Sequence, residues 1–84
     1  MLERTFELQA ALHARPAAAL IKLSRENRAI LFVRDPQTQE WEEAGIMNLL
    51  LAGANGKGRI TLGLDSSPDL FEGMAGILKE GAQP

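Results

Sequence analysis

The chain has 84 residues with nine Lys plus Arg against eleven Asp plus Glu, a formal charge of −2, no cysteine and one histidine. That balance gives no general attraction for nucleic acid or an anionic membrane surface. The missing cysteines exclude disulfides, thiolate metal sites and cysteine nucleophiles, and one histidine leaves no transition-metal centre expected.

Hydrophobic residues make up 45% and charged residues 24%, the proportions of a chain that folds by itself. The length suits a single domain over 1–84, one that removes about 60–65% of its unfolded surface from water. The opening MLERTFELQA has charges at positions 3, 4 and 7 and no apolar core of a signal peptide. With no run approaching the roughly 18 apolar residues of a membrane span, no membrane insertion and a cytoplasmic location are expected.

RTFEL, residues 4–8, alternates apolar and polar positions and predicts a half-buried strand. From Pro16 to about Glu26 the period changes: Ala17, Leu20, Ile21 and Ser24 recur at helical spacing behind a first-turn proline. AILFV, residues 29–33, predicts a second strand, RDPQTQ a turn, and Glu40–Glu43 the returning strand of a hairpin. GIMNLLLAG predicts a short helix from about Ile46 to Leu51, ended by Gly53.

RITLGL, residues 59–64, places Ile60, Leu62 and Leu64 inward and Arg59, Thr61 and Gly63 outward. Ser67-Pro68-Asp69 supplies a capping serine, a first-turn proline and an acidic residue for a last helix whose apolar face is Leu70, Phe71, Met74, Ile77 and Leu78. Gly73 and Gly76 cost that helix about 1 kcal/mol each relative to alanine, so it must rely on docking. The order βαββαβα predicts an α+β two-layer sandwich, an antiparallel sheet under helices with its other face open to water.

The one histidine stands at the junction of the first strand and first helix, in LHARPAAAL. The first N–H groups of a helix lack intrahelical partners and sit at the positive end of its dipole, which favours anions there. An imidazole is a competent nucleophile, and a phosphoryl group on it would lie within reach of those amides. Arg15 adds a permanently charged fork of donors. Pro16 pre-orders the first turn and disfavours helical geometry at Arg15, so the chain is expected to turn sharply there. On composition alone, a surface or capping role for His13 is the alternative.

LHARPAAAL resembles the active-site signature of HPr, the histidine-containing phosphocarrier family of the phosphoenolpyruvate-dependent sugar phosphotransferase system. The resemblance runs nearly end to end, through RTFEL, GIMNLLLAGANGKGRITL, the element order and the chain length. It implies a four-stranded antiparallel sheet covered on one face by three helices. It also implies that His13 accepts a phosphoryl group on Nδ1 from enzyme I and passes it to a sugar-transporter component. The protein would then be a monomeric transfer intermediate, without a cofactor, and not an enzyme with its own turnover.

By the same resemblance Arg15 neutralises the phosphoryl group, the amides of Ala14 and Arg15 bind it, and Pro16 starts the helix. Ile46, Met47 and Leu50 match an apolar partner surface, to which methionine brings adaptability, while Leu49 and Ala52 are expected to be buried. Lys22 and Arg25, on the polar side of the first helix, would steer an acidic partner; as a plain solvated helix face they have no such role. A regulatory branch serving nitrogen metabolism or another kinase system stays open beside sugar uptake, as does a binding-only module of the same fold.

Two positions depart from the family. Where many members carry a regulatory serine at the head of the second helix, this chain has Gly45, and no serine or threonine lies between Thr38 and Thr61. Ala11 stands where the family often has glycine, so the loop before His13 is expected to differ in shape or to need less freedom in φ. GANG at 53–56 and GKG at 56–58 lack the context of an RNA-binding or phosphate-binding loop and read as a helix-to-strand turn. Trp41 reads as a cover for the sheet edge or as an interface anchor.

Overall fold

A computed structural model describes residues 1–81. Its elements follow the expected order: β1 (Leu2–Glu7), α1 (Ala14–Glu26), β2 (Leu31–Arg34), β3 (Trp41–Glu43), α2 (Ile46–Asn55), β4 (Arg59–Leu64) and α3 (Leu70–Gly81). The four strands form one antiparallel sheet in the order β1-β4-β2-β3. The result is the open-faced α+β sandwich that the periodicity predicted.

β4 is the centre of the sheet and the most regular stretch of the sequence. It pairs with β1 from Leu2 opposite Leu64 to Glu7 opposite Arg59, and with β2 from Leu31 opposite Leu64 to Val33 opposite Leu62. Its Ile60, Leu62 and Leu64 are buried, together with Phe6, Leu31 and Val33 from neighbouring strands. The helices close over this face with Ala17 and Leu20 of α1, Leu49 and Ala52 of α2, and Leu70, Phe71, Met74 and Leu78 of α3. Burying a large aliphatic side chain contributes about 1.5–3 kcal/mol, so the layer contact dominates stability. Ser24 is the one buried polar residue among those described, and its hydroxyl donates to the carbonyl of Ile21 at 2.8 Å.

α3 docks against the sheet edge through β1. The rings of Phe6 and Phe71 lie 6.1 Å apart, and the Arg4 guanidinium lies 5.3 Å from the Phe71 ring centre while reaching Glu72 at 3.5 Å. Gly73 stands where α3 meets α1; a Cβ there would lie 3.2 Å from Leu23 Cδ2. Gly76 faces open space, so only the first of these glycines has a packing reason.

Several expected boundaries move. α1 begins at Ala14 and not at Pro16, with Arg15 inside the helix: the proline disfavours helical geometry before it without forbidding it, and the sharp turn falls on His13. β2 begins at Leu31 because Arg28 takes a positive φ of 56° and the Ile30 N–H donates to the Asp65 carboxylate at 2.7 Å. α2 runs through Gly53 to Asn55, with Gly56 as its C-cap.

Ser67 does not cap α3. It has a positive φ of 57° and its carbonyl accepts from Leu70 N at 3.0 Å, so the helix opens on a tight turn stabilised by main-chain bonds. Gly63 faces away from the helices as expected yet is buried, because Met1 and Trp41 fold over it on the open face.

Candidate functional site at the head of α1

His13 is the N-cap residue of α1, exposed, with extended backbone angles of φ −101° and ψ 167°. Its carbonyl accepts the first helical bond from Ala17 N at 3.2 Å, and its side chain makes no capping bond. The imidazole is therefore not used to close the helix, which removes the capping role that composition left open. Ala14 and Arg15 are the first two helical residues, and Pro16, the third, has no N–H. Among the described residues, the donors without a helical partner at the head of this helix are thus the amides of His13 itself, Ala14 and Arg15, the last two following the imidazole-bearing residue.

Arg15 is exposed, and among the described residues it makes neither an ion pair nor a side-chain hydrogen bond. Its charge is free for a ligand. Pro16 and Ala17 below it are buried against the core, so the first turn is held by packing while His13, Ala14 and Arg15 remain at the surface. Such an arrangement can offer an imidazole nucleophile beside a charge-assisted site for an anionic group.

The loop before His13 is fastened at both ends. Leu8 N donates to Gly58 O at 2.7 Å, and Leu12, 7% exposed, seats against α2 at Gly53. An ideal Cβ on Gly53 would lie only 3.0 Å from Leu12 Cβ. Gly53 therefore lets α2 approach the residue directly before the histidine. Gly53 is thus a packing position inside α2 and not the helix stop that its residue type predicts. Ala11 has no positive φ, so the loop does not need the conformational freedom of a glycine at this position.

The partner residues expected on α2 divide by exposure. Met47 is 69% exposed, Ile46 and Leu50 are half-buried, and Leu49 and Ala52 are buried as expected. Leu51, 55% exposed, was not singled out in the sequence and adds to the apolar surface. Lys22 and Arg25 are exposed on α1 and, with the carboxylate-bearing Glu26, line a shallow groove against Ile21, Ala44, Gly45 and Ile46. The structure thus brings the two cations beside the head of α2.

Gly45 is the N-cap of α2, and its own N–H donates to Asn48 Oδ1 at 2.7 Å, while Asn48 Nδ2 donates to Glu43 O at 2.9 Å. The asparagine side chain secures this helix start without a serine. Among the described residues, no helix is long and apolar enough to cross a membrane. Compared with known proteins, the chain matches no family model and no curated sequence.

Proposed function

We propose that this protein is a phosphocarrier of the phosphoenolpyruvate-dependent phosphotransferase type, with His13 as the phosphoryl acceptor. The observation that carries the reading is the exposed His13 imidazole at the head of α1, beside two unpartnered amides and the unpaired Arg15. The HPr-like signature LHARPAAAL supports it from the sequence side.

In the proposed step the Nδ1 lone pair of His13 attacks the phosphorus of a phosphohistidine on enzyme I. The donor's N–P bond breaks, its electron pair stays on the donor imidazole, and the His13 ring keeps its proton on Nε2. The phosphoryl oxygens then accept from Ala14 N, Arg15 N and the Arg15 guanidinium. Transfer onward to a sugar-transporter component repeats the displacement with His13 as the leaving group. The apolar surface of Ile46, Met47, Leu50 and Leu51 would meet both partners in turn, with Lys22 and Arg25 attracting acidic groups. This reading places the protein in the cytoplasm, where such donors and acceptors operate.

The test is direct. Incubated with phosphoenolpyruvate and purified enzyme I, the chain should take up one acid-labile phosphoryl group, and His13→Ala should abolish it. Absence of labelling on the unaltered chain, or labelling that survives the substitution, refutes the proposal.

A further inference from the structure

β1 is an edge of the sheet, paired with β4 on one side only. Main-chain bonds in an antiparallel ladder alternate, so every second residue of an edge strand turns its N–H and C=O away from its neighbour. Leu8 N donates to Gly58 O at 2.7 Å. Followed back along the register, that bond turns Leu2, Arg4 and Phe6 toward β4 and leaves Glu3, Thr5 and Glu7 turned outward. The bond from Asp65 N to Ile30 O, at 3.3 Å, agrees, because it commits the odd-numbered residues of β4 to β2.

Six main-chain groups thus stand free along about 14 Å of strand. Two devices that commonly close such an edge are missing: β1 contains no proline, and its register with β4 runs from Leu2 to Glu7 without a bulge. The opposite edge, β3, has only three residues. Alongside β1 a groove of about 310 Å³ separates the strand from α3, with Phe6, Ala75 and Leu78 in its walls and exposed Gln9 and Lys79 at its rim. Directly paired residues share a face of the sheet, so a side chain opposite Phe6 on an added strand enters this groove.

The outward groups select an extended polypeptide, because a strand presents donors and acceptors at matching intervals. The side chains of β1 decide against a second copy of this chain. When two β1 strands pair antiparallel, the register that uses Glu3, Thr5 and Glu7 together sets Glu3 opposite Glu7 at both ends, and like charges directly opposite are destabilising. The register centred on Arg4 sets arginine against arginine, and the one centred on Phe6 leaves Glu3 outside the ladder.

We infer that β1 accepts an extended segment of a protein partner as a fifth strand of the sheet. The segment bonds to the main chain of Glu3, Thr5 and Glu7 and places an apolar side chain in the groove between Phe6, Ala75 and Leu78. None of these residues belongs to the His13 site.

The probe is the blocked peptide Thr-Ile-Thr-Val-Thr-Ile-Thr, set beside a counterpart with proline for its central valine, which lacks a main-chain donor. Titrated into the full chain, the first peptide should bind saturably below about 1 mM. At saturation it should slow amide hydrogen exchange at Glu3, Thr5 and Glu7 about tenfold or more, and the proline peptide should not. Thr5→Pro removes the central outward donor at a position where an edge strand tolerates proline, so circular dichroism should be retained while binding weakens about tenfold or more. His13→Ala should leave binding and protection unaltered, which separates this edge from phosphoryl transfer. No saturation, unslowed exchange at the three amides of the unaltered chain, equal binding of the proline peptide, or undiminished binding to folded Thr5→Pro overturns the inference.

Discussion

Replacing Gly53 by alanine opposes two effects of known size at the point where α2 supports the histidine loop. In a helix interior, alanine is favoured over glycine by about 1 kcal/mol. The added methyl, however, would stand 3.0 Å from Leu12 Cβ, against about 3.5–4.0 Å for comfortable carbon–carbon contact. Leu12 must therefore give by a few tenths of an ångström, in a site where overpacking costs about 1–3 kcal/mol. The expected net change is a loss of up to about 2 kcal/mol, from the difference of those two terms.

Leu12 precedes His13, so the displacement passes toward the imidazole; a misplacement of about 1 Å can cost about a hundredfold in rate at a reacting centre, and one of a few tenths correspondingly about severalfold. Urea denaturation measures the first effect. The rate of phosphoryl uptake from enzyme I, compared at equal folded concentration, measures the second. A variant more stable by the full helix-propensity gain and unchanged in rate would show that Leu12 yields freely and that Gly53 does not position His13.

Two further expectations follow from the same geometry. Arg15→Ala should slow phosphoryl uptake about 10–100-fold, the equivalent of a lost charge-assisted hydrogen bond, while the urea midpoint stays close to that of the parent because the side chain is exposed and unpaired; global unfolding instead would assign it a structural role. Gly76→Ala, in open space on α3, should raise stability by about 0.5–1 kcal/mol, or about 2–8 °C in melting temperature, and a fall in the melting temperature would reveal a contact at this position.

The apolar run of α2 shows how far such a segment can be read. In IMNLLLAG the residue types announce a helix, and the structure turns Leu49 and Ala52 inward while leaving Met47 and Leu51 exposed. A nearly all-apolar segment has little contrast between its faces, so its sequence alone does not say which leucine is covered. That depends on where α1 and the sheet lie, and α2 touches both.

What the residues settle locally are the periods and punctuation: the alternation of RITLGL that became β4, and the Pro16 and Ala17 signal that placed His13 at a helix start. These depend on neighbours a few positions apart, and so they can be read along the chain. Long-range approach settles the rest. Gly53 is a contact for Leu12 rather than a helix stop, and Gly63 is a floor for Trp41 rather than an exposed strand position. Both depend on elements distant in sequence coming within a few ångströms, and a missing Cβ leaves no periodic signal of what will fill its place.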